Sequence, residues 1–221
     1  MIDSALMQYT SGLADGRTFQ DVMTSIATIT GLRQDTNDIF SQYQESRGFT
    51  PIHFALLDLQ HQPDTLSERL GVAVQGFGID SSDFTGRSAL VWAVEYRCVS
   101  AVIDCLNNGA CTTYIRESIR GSARMPLLHL LLAGPTNDMA AILYIVDALI
   151  GAGADVMSTD QDDWTPLHIA ASWNMLCVSQ RLLDTCERDR LVVARTTSGE
   201  TAYDLACNAQ GDAELLMLLQ G

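Results

Sequence analysis

Four histidines, His53, His61, His129 and His168, are the side chains of this sequence best suited to proton transfer or metal ligation near neutral pH. Either use needs a converging partner: a carboxylate or nucleophile for acid–base catalysis, a tight pair of further ligands for a metal. No such pattern accompanies them. The six cysteines, at 98, 105, 111, 177, 186 and 207, include no Cys-x-x-Cys pair, which argues against zinc and for small, buried, reduced thiols. Asp160, Asp162 and Asp163 form an acidic cluster, but the glycine and distal glutamate of a calcium loop are missing, so a solvated hairpin tip is expected. Gly76-Phe77-Gly78 lacks the third glycine and preceding strand of a dinucleotide-binding turn, and reads as a loop. Gly-x-Ser-x-Gly is absent. All 13 basic residues are arginine, which excludes Schiff-base chemistry, a phosphate-binding P-loop lysine and a PLP lysine. The expectation is a chain without cofactor, metal or catalytic centre, and so not an enzyme.

The balance of 13 arginines against 27 Asp and Glu gives a net charge of −14. That charge argues against binding a nucleic-acid backbone or an anionic membrane surface. No stretch reaches the roughly 18 apolar residues of a spanning helix, and the start, MIDSALMQYT, lacks the basic and apolar segments of a secretory signal. A cytoplasmic or nuclear location is expected. At 47% apolar and 18% charged over 221 residues, the chain has the composition of a folded domain with at most a small appendage. The missing lysines have two readings: selection against ubiquitin attachment, or nucleotide bias with an acidic composition.

The segments GFTPIHFALL (48–57), GRSALVWAVE (86–95), ARMPLLHLLL (123–132), DWTPLHIAAS (163–172) and GETAYDLACN (199–208) align with one another. Their Thr-like positions, Thr50, Ser88, Met125, Thr165 and Thr201, are spaced by 38, 37, 40 and 36 residues. Each opens a short apolar helix. Second apolar helices follow at 100–107, 140–150, 176–183 and 212–219. Threonine can cap the first helix and proline fits its first turn. Leu167, Ala170, Val178, Leu182 and Leu183 form one stripe across a helix pair, which only stacked pairs can bury. Glycines at Asn108-Gly109-Ala110 and within Gly151–Asp155 suit helix ends that need positive φ.

These segments resemble the ankyrin-repeat family. Thr165-Pro166-Leu167-His168-Ile169-Ala170-Ala171 matches its signature without substitution, Thr50-Pro51-Ile52-His53-Phe54-Ala55 nearly does, and the others are degenerate. In Met125-Pro126-Leu127-Leu128-His129 the histidine is displaced by one. Asp163 stands where the family has glycine, which implies a strained or remodelled turn. Family repeats run to about 33 residues. The extra residues here fall between helices, at 58–64, 111–123 and 184–196, and are expected to be loops. The resemblance implies an all-α solenoid of about five repeats over residues 48–221, built of stacked helix-turn-helix units with hairpin-like loops. It also implies a structural role for the signature histidines. Residues 1–47 carry two further helical patterns, Thr18–Ile29 and Asp35–Gln44, and are expected to form an N-terminal helical cap.

The resemblance also places ligand contacts on the hairpin tips and the exposed side of the first helices. Those positions hold Phe49, Phe84, Arg87, Glu95, Tyr96, Asp162, Trp164, Ser172, Trp173 and Glu200. Aromatic and arginine side chains dominate binding hot spots. The expected function is non-catalytic recognition of another protein, of basic or mixed charge, by a monomer on this concave aromatic and acidic strip. Two alternatives stay open. The groove would take a small molecule against Tyr96, Trp164, Trp173 and His168, as an enzyme or accessory of a metabolic pathway. Or the lysine-free chain would serve as an effector or ubiquitin-ligase adaptor. The loop arginines Arg116, Arg120, Arg124, Arg188, Arg190 and Arg195 would be either solubilising or a seat for an acidic partner.

Overall fold

A computed structural model describes residues 48, 50–53, 71, 73–76, 78–83, 86–95, 97–113, 125–133 and 138–220. The two helices expected in the N-terminal segment lie outside these residues. Among the described residues nine helices are delimited: α1 (Ala89–Glu95), α2 (Val99–Asn107), α3 (Leu127–Leu132), α4 (Met139–Gly151), α5 (Pro166–Ser172), α6 (Leu176–Leu183), α7 (Arg188–Val193), α8 (Ala202–Asn208) and α9 (Ala213–Leu219). Residues 51–53 and 73–76 are also helical. No strand occurs among the described residues; an isolated antiparallel bridge joins Ser82 to Ser88.

The helices form two rows. α1, α3, α5 and α8 lie side by side, as do α2, α4, α6 and α9, and each first helix packs on the second helix that follows it. The five residues of the predicted stripe, Leu167, Ala170, Val178, Leu182 and Leu183, are all buried in one continuous core. At the second helical position Leu90, Leu128 and Leu167 are enclosed in the same way. The fold is therefore an all-α stack of helix pairs.

The first helices begin as their residue types dictate. Thr165 caps α5 by accepting the His168 N–H, with Pro166 in the first turn. Thr201 caps α8, and the Asp204 carboxylate returns the bond to the Thr201 N–H at 2.9 Å. At α3 the structure corrects the alignment. Its N-cap is Pro126, not Met125, so His129 occupies the third helical position just as His168 does. Proline's fixed φ suits both the N-cap and the first turn, so Met-Pro-Leu read against Thr-Pro-Leu picks the wrong register. A second correction concerns residues 184–196. Instead of a plain loop they contain α7, which packs on α6 and α8 and buries Leu191.

Three hairpin tips close in one way. Asp83, Asp160 and Thr196 each donate a backbone N–H to the carbonyl of the residue before the N-cap, Arg87, Trp164 and Glu200, at 2.9, 3.1 and 3.0 Å. Their side-chain oxygens accept the N–H of those same residues at 2.9, 2.9 and 3.3 Å. Two residues before the N-cap the backbone takes positive φ. Gly48, Gly86 and Gly199 supply it at 64°, 76° and 82°, but in the fourth repeat Asp163 sits there at 58°. A Cβ in the left-handed region costs about 1 kcal/mol, so the strain expected at Asp163 is present.

Two substitutions should stabilise the fold. Asp163→Gly removes the left-handed Cβ and should add up to about 1 kcal/mol, the gain limited by the looser unfolded chain. Ser179 lies fourteen residues after Thr165, the N-cap of the preceding first helix, where α2 has Val102 and α9 has Leu215 at the matching position, and its buried hydroxyl has no partner among the described residues. Ser179→Ala should add about 1 kcal/mol by deleting an unsatisfied polar group. Urea midpoints at unchanged slope measure both.

Candidate functional site

The signature histidines join neighbouring repeats. His53 Nε2–H donates to the Arg87 carbonyl at 2.9 Å, His129 Nε2–H to Trp164 at 2.6 Å, and His168 Nε2–H to Ala194 at 3.2 Å. In His53 and His168 the other ring nitrogen is held within the repeat. Thr50 N–H donates to His53 Nδ1 at 3.2 Å and Thr165 N–H to His168 Nδ1 at 3.0 Å. All three rings are buried. Burial is the largest influence on each and lowers its pKa, against the hydrogen bond to the neighbouring carbonyl and the charge of Asp83 or Asp160. Rings occupied in this way serve the fold and reach no substrate. His61 lies outside the described residues.

The predicted strip divides by repeat. In the second repeat the Arg87 guanidinium meets the Glu95 carboxylate at 2.8 Å, with side chains only 9% and 7% exposed. Arg87 also stacks over Trp92, 4.7 Å from the ring centroid, and Trp92 Nε1–H donates to Asp83 at 3.2 Å. In the fifth repeat the same two positions hold Glu200 and Asn208, joined at 3.0 Å. Residues eight apart thus form a polar latch across the exposed side of α1 and of α8. In the fourth repeat those positions hold Trp164 and Ser172, and the Ser172 hydroxyl turns back to the Ile169 carbonyl at 2.8 Å. Trp164 leans on His168, with ring centroids 6.3 Å apart. Trp173, the next residue along, is 47% exposed. Asp162 and Asp163 are exposed on the tip before α5. Phe49, Phe84 and Tyr96 lie outside the described residues. The latches were not legible in the sequence, although an acid and a base eight apart around one helix would have been the signal.

The remaining chemistry-bearing groups serve local structure. Asp160 Oδ1 accepts the N–H groups of Asp162 and Trp164, both at 2.9 Å. Arg188 donates to the Leu218 carbonyl at 3.2 Å, Arg190 pairs with Glu187 at 2.7 Å, and Arg195 donates to the Gly199 carbonyl at 2.6 Å. Among the described residues no group of three His, Cys, Asp or Glu side chains is placed to hold a metal. The expectation of buried thiols needs correcting. Cys105 is buried, and desolvation pushes its pKa up to about 12. Cys111, Cys177, Cys186 and Cys207 are exposed, Cys177 and Cys207 because they fall on the outward sides of α6 and α8.

Residues 138–220 match the family model of ankyrin repeats, in three copies. With the capped helix pairs and histidine links described above, this match supports an ankyrin-repeat architecture for residues 138–220. Ankyrin repeats in general mediate contacts between proteins and are typically not enzymes. No curated protein matches the sequence. No helix among the described residues is long and apolar enough to cross a membrane.

The histidine links make stability depend on pH. All three rings hold lowered pKa values when folded, against 6.5 for an ordinary histidine, so the unfolded chain binds protons more readily. Their contribution is complete above that value and is lost as pH falls through the lowered folded values. The melting temperature should drop between about pH 7.5 and pH 5.5. A flat profile would contradict the assignment of buried, neutral rings.

Proposed function

We propose that this chain is a monomeric, non-catalytic recognition module that holds another protein on the exposed side of its first helices, centred on α5. The observation that carries this reading is Trp173. At the C-cap of α5 it is, among the described residues, the large exposed aromatic beside a first helix, and α5 lacks the polar latch that α1 and α8 carry across the same side. Rigid aromatic area at low entropy cost is what binding hot spots use. The Asp162 and Asp163 carboxylates stand exposed beside Trp164, with no side-chain partner among the described residues. Together with the net charge of −14 they favour a partner of basic or mixed charge, through steering more than through affinity. Arg87, Glu95 and Glu200 contribute less, because each already holds a neighbour. A small-molecule pocket is less well supported, since His168 is fully buried and engaged at both ring nitrogens. A cytoplasmic or nuclear setting suits this reading.

The test is affinity capture followed by identification of the bound protein. Trp164→Ala with Trp173→Ala should weaken capture at least about tenfold while changing stability by no more than about 1–2 kcal/mol. Capture that survives the double substitution overturns the site.

A further inference from the structure

Two of the three linking histidines are gripped at both ring nitrogens, and one is not. The Thr50 and Thr165 hydroxyls lie 2.8 and 2.9 Å from Nδ1 of His53 and His168, beside the N–H donors already described. Among the described residues His129 Nδ1 has no partner. The cause is its N-cap. Pro126 has neither an N–H nor a hydroxyl, so the groups that threonine supplies in the first and fourth repeats are missing. The ring is 1% exposed, so solvent does not replace them.

A proton arriving at these rings meets different surroundings. At His53 and His168 the threonine oxygen is near enough to accept from a protonated Nδ1. At His129 the new N–H would point at no acceptor, and an unpaired buried charge is costly. The relief open to it is for the ring to leave its seat, which breaks the 2.6 Å bond to the Trp164 carbonyl. The charged neighbours do not prevent this. Asp160, on the tip before α5, attracts the imidazolium, but its Oδ1 already accepts two N–H groups, and His168 of α5 opposes a second charge. From the turn after α1, Arg97 reaches the end of α3 at the Leu131 and Ala133 carbonyls, at 3.4 and 3.5 Å. From α4, Asp147 is paired with Arg181 of α6.

We propose that His129 is a pH-sensitive tether: neutral, it fastens the tip carrying Asp162, Asp163 and Trp164 to the preceding repeat, and on protonation it releases that tip. Once released, Trp164 keeps a single donor to its carbonyl, the Asp160 N–H at 3.1 Å, within a turn already strained at Asp163. As a control on partner binding the tether rests on the face proposed above; as a structural event it does not.

Heteronuclear NMR of the whole chain from about pH 7.5 to pH 5.5 tests it. The imidazole nitrogens report each histidine. The Trp164 amide reports the tip, and the Glu200 amide reports the matching position of the next repeat. Exchange of the Trp164 amide, corrected for intrinsic pH dependence, should quicken more than about tenfold in step with His129, and that of Glu200 less than about twofold. His129→Gln, whose amide donates in place of Nε2 and does not titrate, should leave Trp164 flat. Pro126→Thr supplies both missing groups on a backbone already close to that of Thr165, with φ −60° and ψ 156° against −87° and 166°. By giving a protonated ring an acceptor in its seat it should shrink the response of the Trp164 amide, and it serves alone if the glutamine variant does not fold. A Trp164 amide that stays still while His129 titrates overturns the tether. So does a response unchanged in His129→Gln or in Pro126→Thr. None of these measurements uses a partner, so a failed capture experiment and a failed tether are told apart.

Discussion

No helix pair in this chain can bury its own apolar side, so the structure depends on the joints between pairs. The first helices α1, α3 and α5 present leucine at their second position and small or branched residues further on, and these are covered only when the next pair docks. The apolar joint is not directional. Direction comes from the buried histidine, which reaches from the start of one first helix to a backbone carbonyl of the next repeat. A neutral ring can satisfy a carbonyl on one side and an N–H on the other, so it links two backbones without burying a charge.

The same constraint shapes the exposed side of the first helices. Residues there stand beside a packed helix and close to a hairpin tip, so polar side chains eight apart find each other. In α1 the result is a nearly buried arginine, held by Glu95 and stacked on Trp92; in α8 it is a hydrogen bond between Glu200 and Asn208. The fourth repeat, with Trp164 and Ser172 in these positions, leaves aromatic surface uncovered. Acidity follows the same division. Asp83 and Asp160 work inside their turns, whereas Asp162 and Asp163 face outward.

Much of the fold was legible because it is local. Periodicity set the helix pairs to within a residue or two, and α6 to the residue. The signature of the fourth repeat specified its own cap, and the glycine that Asp163 replaces marked the strained turn. What misled was chemistry that fits two places. Proline serves at either of two positions at a helix start, which shifted the register of α3 by one. Cysteine is common on both apolar and exposed helix sides, so Cys177 and Cys207 read as core. Leu191-Val192-Val193 is too short to show a helical period, and α7 went unseen.

By itself, then, the sequence determined the repeat, its caps, the stripe of buried residues, the surplus of acid and the absence of lysine. Each of these depends on residue type and on neighbours within a turn or two of the chain. Only the tertiary structure decided which of the candidate binding residues are available. Arg87 and Trp173 look equally suited in the sequence, but one lies beneath an ion pair and a ring while the other stands in solvent. The missing grip on His129 likewise appears only when Pro126 is seen capping α3, because a vacant hydrogen-bonding position is a property of packed neighbours and not of any one residue.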